Sequence, residues 1–450
     1  MDLEGTARRG LRRGKQKEEI LKELISLISQ VKEDKNVEKF AKAIIEEVEV
    51  SERAFDTEDE FLREIFSFPS SNVKMGEMGV GSRGEGDFFV HRKIAEIIGK
   101  KENVLVDPLE QDDAGVIRDD GKYIAVSVDG THSRLSEFPF LAGFHVTRAA
   151  LRDIFVMGAK PIALLSDMHL SDDGDIGKLF DFTAGVCTVS ELADVPLIAG
   201  STLRVGGDMV IGDRMVSAVG AVGSLNHRPT ARRFAEPNDV ILMTEGAGGG
   251  TITTTAIFSG YFDVVRETLN IDFITACNAL LKEGLQKKIH SMADVTNGGI
   301  RGDANEISTT AGVRLVFEEE KIARTVNKKV YEMLKDLDID YLGVSLDSLL
   351  VIAEESTARE VKRVVEETGV KINEVGYVEN GRGVILIKEG KEEEIRPMFR
   401  ESAYTKVKKI VDHKPPDLNG MKEKVSDAAE RAIRKKSMAV NHIEKRYRKV

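Results

Sequence analysis

Apolar residues recur at helical spacing near the start of the chain. Ile20, Leu21, Leu24, Ile25, Leu27, Ile28 and Val31 share one helical face, and Phe40, Ala41, Ile44, Ile45 and Val48 repeat the pattern. This spacing predicts two amphipathic helices. Phe61, Leu62, Ile65 and Phe66 predict a short third one, which the breaker cluster FPSSN (68–72) ends. A boundary near Ser70 follows.

Beyond the glycine-rich stretch GEMGVGSRGEGD (76–87), short β-branched runs alternate with longer helical patterns, so a mixed α/β or α+β organisation is expected. AGVIRDDGKYIAVSVD predicts a hairpin turning at Asp120-Gly121, with its second strand ending on Asp129. A helix over about 140–157, a strand at PIALLSDMHL, a helix over about 175–192 and strands at PLIAGS and RMVSAVGAVG come next. A second block opens near Asn226 with the strand DVILMTE, the cluster GAGGG (246–250) and helices over about 251–260 and 272–286. The strands SLLVIAE and KINEVGYV, with a helix between them, close it near residue 400. The expected units are a helical extension (1–70), two α/β units (71–225 and 226–400) and a charged, mostly helical tail (401–450).

A chain of 450 residues exceeds one ordinary core, and 41% apolar residues with only 6% aromatics imply cores of Val, Ile, Leu and Ala. The net charge of -11 repels a phosphate backbone and disfavours nucleic acid as a partner. Basic residues gather in ARRGLRRGKQK (7–17) and RAIRKKSMAVNHIEKRYRKV (431–450), which read as solvated termini or as places where a protein partner docks. Cys187 and Cys277 stand far apart, so neither a disulfide framework nor a zinc site is signalled. No apolar run has the roughly 18 to 20 residues that a membrane span needs, and no signal-peptide core follows the basic start; a cytoplasmic protein is expected.

Acidic residues recur where strands end and loops begin: Asp112 and Asp113 in EQDDAGV, Asp129 in SVDGT, Asp153 in LRDIFVMGAKP, Asp167 in LLSDMHL and Asp294 in MADVTNGG. Hard carboxylate oxygens from separate loops suit Mg²⁺ bridged to phosphates, while each aspartate alone also suits a helix cap or turn. The glycines of 76–86, 246–250 and 298–299 would let backbone N–H groups approach phosphate, yet GAGGGTITT fits neither the P-loop nor G-x-G-x-x-G. Arg134 is the cation nearest Asp129 in sequence, either placed for a phosphoryl group or an ordinary surface arginine. His132, His145 and His169 lack metal spacing and read as structural, with His132 alone expected to face the site.

In that order and spacing the motifs resemble the superfamily of aminoimidazole ribonucleotide (AIR) synthetase, selenophosphate synthetase, thiamine-monophosphate kinase and the hydrogenase maturation carbamoyl dehydratase. DDAGV, DGTHSRL, RDIFVMGAKP and MADVTNGGI carry the resemblance, over roughly residues 76 to 390. It implies two domains, an N-terminal ATP-binding one and a C-terminal α+β one, usually in a homodimer with ATP sites near the interface. It implies transfer of the ATP γ-phosphoryl group to a small molecule, kinase-like or as a synthetase or dehydratase does. Asp112, Asp113, Asp129 and Asp153 would hold Mg²⁺ and phosphates, Gly130 and Thr202 would contact nucleotide, and Arg134 stands where the synthetase has lysine. AGSTLRVGGD departs from the family's G-D-T or G-E-T by Ser201, with Asp208 a few residues on as a replacement acid. That departure keeps open a second reading, a non-catalytic ATP-binding maturation or regulatory partner. The chain lacks the terminal cysteine of the dehydratase and the N-terminal catalytic cysteine of selenophosphate synthetase, while GEGDFFVHRKIAEII and DYLGVSLDSLLVIAEE resemble the kinase.

Overall fold

The computed structural model describes the chain except residues 34, 297, 402–403, 412–416 and 448–450 and the side chains at 446 and 447. Asn297 of MADVTNGGI and the last three residues of the basic tail lie outside the described residues.

The strands β1 (Val104–Val106), β2 (Gly115–Asp119), β3 (Lys122–Gly130), β4 (Lys160–Leu170), β5 (Leu197–Arg204) and β6 (Met215–Leu225) form the first sheet. Their order is β1-β2-β3-β6-β4-β5, and only β4 and β5 run parallel. The expected hairpin joins β2 to β3: Asp120 (φ 41°) and Gly121 (φ 80°) both adopt left-handed backbone, which matches the twist of the flanking strands. Alternation sends Ala125, Val219 and Ala221 into the core under the helices Pro139–Val156 and Gly177–Ala193. The opposite face is open, and Val128, Ile198, Leu203 and Val216 are each more than half exposed.

The second sheet holds β7 (Val240–Thr244), β8 (Ser291–Val295), β9 (Val313–Glu318), β10 (Ser348–Ala353), β11 (Ile372–Asn380), β12 (Gly383–Lys388) and β13 (Lys391–Glu394). The order is β13-β12-β9-β11-β7-β10-β8, parallel only between β9 and β12. Every residue of β8 and β10 is buried, so neither strand alternates. The helices Asp272–Glu283 and Glu355–Glu366 cover one face and share a continuous core with Pro139–Val156, through Ile154, Phe155, Phe273, Leu280, Val351 and Val361. The helices Gly250–Ser259, Gly299–Ala311 and Lys328–Asp336 contribute to a separate core around Ile241, Phe317 and Ile352. This arrangement sets Pro139–Val156 against β8, and the candidate site forms there.

Both basic ends differ from the expected solvated termini. Leu3–Arg12 is a helix that buries Leu3 and Ala7 against Ile20, Leu24 and Ile28 of Lys17–Ser29 and Ala41, Ile44 and Val48 of Val37–Glu52. Its Arg8 and Arg12 pair with Glu52 of the third helix. Ile211, from the segment before β6, completes this core, and Lys32 pairs with Asp172 and Asp173, which ties the unit to the first sheet. The apolar face needed a cover, and the arginines at helical spacing met acids along its edge. A short fourth helix, Glu60–Phe66, follows. At the other end, Leu418–Tyr447 is one long helix. Its Arg431, Lys435 and Lys436 donate to the carbonyls of Ser70, Ile65, Ser67 and Ile97, and His442 stacks on Phe61 at 3.8 Å. These basic groups meet carbonyls around the C-terminal ends of Glu60–Phe66 and Glu85–Ile98, where the helix dipole favours cations.

Candidate active site

Along Pro139–Val156 the residues Ala142, His145, Val146, Ala149, Arg152 and Asp153 recur at intervals of three and four and line a single cleft of 690 Å³. Asp129 and Gly130 enter it from the end of β3, Asp112 and Asp113 from the loop before β2, and Asp294 from β8. All three glycine clusters reach its surroundings. Gly81 and Gly250 line it, Gly250 as the first residue of Gly250–Ser259, and Gly299 starts a helix three residues after the lining residue Thr296. Helix N-termini carry partial positive charge and suit anionic groups.

The carboxylates crowd one another on the wall of this cleft. Burial, reinforced by Asp294, raises Asp129 to about 6, opposed by Arg152 and by a side-chain hydrogen bond with Asp153. Burial pushes Asp153 well above the usual carboxylate range, with Asp129, Asp294 and Asp113 adding to it. Asp113 also stands well above that range, through burial and the charges of Asp294, Asp112 and Asp303 against the attraction of Arg232. Two neighbouring carboxylates sharing a proton are the expected outcome of such crowding.

Buried arginines hold this acidic wall in place. Arg232, fully buried, bonds Asp113 and Glu306, lies 3.3 Å from Asp303, and donates its backbone N–H to Asp112 Oδ2 at 2.8 Å. Arg152 donates from Nε to Asp294 Oδ2 at 2.9 Å and from Nη1 to Asp347. Asp347 also faces Arg148 at 3.3 Å, and the two arginines hold its carboxyl below the ordinary range despite its burial. Arg83, inside the glycine-rich stretch, lines the cleft among Glu306, Asp303 and Asp87.

Of the four aspartates expected to hold metal, Asp112 is already committed: Oδ1 accepts from the Asp113 N–H at 3.0 Å and Oδ2 from that of Arg232. It braces the loop that presents Asp113. Asp113 Oδ2 is buried and has no hydrogen-bond partner among the described residues. Also among the described residues, no three acidic, histidine or cysteine side chains converge as a ready-made metal cage. The donor chemistry nevertheless fits Mg²⁺, because hard carboxylate oxygens with unrelieved mutual repulsion gain from a divalent cation. Such an ion is commonly held by one or two carboxylates plus phosphates.

Three expected site residues lie outside the cleft lining. The Arg134 guanidinium stacks 3.6 Å over the Phe258 ring, Thr202 lies exposed on β5, and Asp208 pairs with Arg204 in the segment after that strand. Asp167, exposed on β4, pairs with His169. His132 faces the cleft as expected, but His145 joins it. Sequence reasoning also passed over Arg83, Arg152, Arg232, Asp303, Glu306 and Asp347. Arg148 and Arg152 did leave a trace, as charges one turn apart in the apolar run HVTRAALRDIF.

The fold and its interdomain acidic cleft define a two-domain α+β protein of the AIR-synthase type. Models of the AIR synthase related protein match residues 111–224 as its N-terminal domain and 236–400 as its C-terminal domain. The chain is 58% identical, over the whole of both sequences, to an uncharacterized protein of Methanocaldococcus jannaschii. It is 27% identical over 240 residues to the selenide, water dikinase of Myxococcus xanthus, covering 51% of this chain and 65% of that one. Among solved structures it resembles the HypE-HypF complex (TM-score 0.55, 20% identity, 68% of this chain and 99% of that one). It also resembles AaThiL complexed with AMPPCP and TMP (TM-score 0.54, 17% identity, 70% and 96%). The chain belongs to the AIR-synthase-related superfamily, which has ATP-using members.

Proposed function

We propose that the chain is a Mg²⁺- and ATP-dependent enzyme that transfers the γ-phosphoryl group to a small-molecule acceptor or uses it to activate one. The observation that carries this reading is the meeting of Asp113, Asp129 and Asp153 in one cleft, with carboxyl groups raised by burial and mutual repulsion. These carboxylates would hold Mg²⁺, which when bound would offset negative charge on the nucleotide and on the transferred group. Asp113, Asp129 and Asp153 would be the carboxylates that hold the cation, and their raised pKa values mean that protons would have to leave them for it to bind. Arg83 in the cleft lining would attract the phosphates, Gly130 would offer a backbone without a side chain, and Arg232 and Arg152 fix the acids so that little reorganisation is needed. In this reading Arg134, Thr202 and Asp208 stay outside one chain's cleft. The open face of the first sheet and its edge strand β5 are where a second copy would pair, and sedimentation velocity tests that homodimer.

Ser201, the departure that favours a non-catalytic partner, stands on exposed β5, outside the lining of one chain's cleft. A screen of metabolites for ADP release, followed by phosphorus NMR of the product, tests the enzymatic reading. Mg²⁺-dependent release that Asp129→Asn abolishes is expected. Tight ATP binding with no turnover across the panel would move the protein to the partner class.

A further inference from the structure

Eight residues before Asp153 on the same helix, roughly 12 Å along its axis at 1.5 Å per residue, His145 lines the same cleft. Leu135, Ala142, Val146 and Ala149 line the cleft with it, and Arg148, Asp347, Arg152 and His132 act electrostatically on its ring. His145 is only 4% exposed, and its Nδ1 has no hydrogen-bond partner among the described residues.

Hydrogen bonding fixes the tautomer. The Thr268 hydroxyl donates its single proton to the Val265 carbonyl at 2.8 Å. Its 2.8 Å contact with Thr253 Oγ1 therefore needs Thr253 as the donor. Thr253 has no second proton, so its 2.8 Å contact with His145 Nε2 is an N–H donated by the imidazole. The proton sits on Nε2, and Nδ1 keeps a bare lone pair. Burial and the neighbouring Arg148 push this imidazole down to about 3, so it stays neutral near pH 7. A buried acceptor left unsatisfied is costly, and such groups concentrate where a ligand completes them.

We propose that His145 is a specificity-determining contact for the phosphoryl acceptor: its Nδ1 accepts a hydrogen bond from a hydroxyl or amine of the small molecule bound in the cleft beside it. This rests on the phosphoryl-transfer reading above. It adds that the acceptor class carries an O–H or N–H donor. Analogues with that donor methylated leave Nδ1 unpaired and are rejected.

The test is ¹⁵N-histidine NMR of the full chain without nucleotide, with the His145 signals assigned by their loss in His145→Gln. At pH 7 the neutral Nε2–H pattern is expected. Ethylene glycol or ethanolamine should move the Nδ1 resonance saturably, and 1,2-dimethoxyethane should not. An Nδ1–H tautomer, no saturable response to either donor, or an equal response to the ether would each overturn the proposal. A chain that binds no ATP leaves these spectra unchanged, so the two readings fail separately. In turnover, His145→Gln keeps an N–H for Thr253 but places no acceptor at the Nδ1 position, and should raise the KM of the acceptor found by the metabolite screen about tenfold with that for ATP within about twofold. His145→Asn, whose Oδ1 can stand in for Nδ1, should recover part of that loss.

Discussion

Arg152 donates from Nε to Asp294 Oδ2 across 2.9 Å, and both side chains are almost fully buried. This bond joins the helix under the first sheet to a strand of the second, within the lining of the cleft. Removing the guanidinium leaves Asp294 and Asp347 buried without their main counter-charge. Arg152→Met should cost about 3–5 kcal/mol in urea unfolding followed by circular dichroism. A loss below about 1 kcal/mol would show that the pair contributes little.

Asp129 gives the site a pH signature. Its carboxyl is raised to about 6 in the folded state, so the folded chain holds this proton at pH values where the unfolded chain has lost it. The stability linked to that proton is present at acid pH and is lost as pH rises from about 4 to about 6. Without Mg²⁺, Asp129→Asn should flatten this part of the profile and melt higher than wild type above pH 6, because it removes one of several repelling charges. Adding Mg²⁺ and ATP should reverse the order by stabilising wild type alone. Equal melting temperatures throughout would mean that the carboxylates do not interact.

Mg²⁺ affinity should rise across the same interval, since the cation displaces the proton shared by Asp129 and Asp153. Calorimetry in buffers of different ionisation enthalpy should register proton release near pH 6 and much less near pH 8. Proton-independent binding would place the ion elsewhere.

Gly84 sits where the glycine-rich stretch meets the segment after β13. The Glu85 N–H bonds the Met398 carbonyl at 2.9 Å, and a Cβ on residue 84 would lie 2.3 Å from the Phe399 carbonyl oxygen. Gly84→Ala should cost about 1–3 kcal/mol through overpacking, speed proteolysis around 396–400 and weaken nucleotide binding by disturbing Arg83. Wild-type proteolysis would show that the segment is not held by this contact.

The N-terminal helices offer a contrast. Ile44 is fully buried in a core separate from those of the two sheets, so Ile44→Ala should destabilise by about 2–5 kcal/mol and leave nucleotide affinity within about twofold. A large change in affinity would reveal coupling from this unit to the cleft.

Much of the architecture could be read from local pattern, because alternation and helical spacing record which face of an element is buried. The β2–β3 hairpin, the helices near 140–157 and 272–286 and the strands of DVILMTE and SLLVIAE were visible in this way. The helix Leu3–Arg12 was not, since its charges outnumber its buried positions and its partners come from later in the chain. Asp112, Asp113, Asp129, Asp153 and Asp294 were visible as acids at strand ends, but Arg232 in ARRF gave no local sign of the four carboxylates around it.

The amino-acid sequence by itself determined the order of elements, the family and the acids available to the site, because these depend on neighbours along the chain. Only the tertiary structure decided which acids meet and what state they are in. It committed Asp112 to backbone N–H groups, left Asp113 Oδ2 unpaired, and moved Arg134 onto Phe258. It also fixed the proton of His145 through Thr253 and Thr268, more than a hundred residues away. The physical reason is that charge and protonation answer to burial and to groups close in space, and folding brings those together from distant parts of the chain.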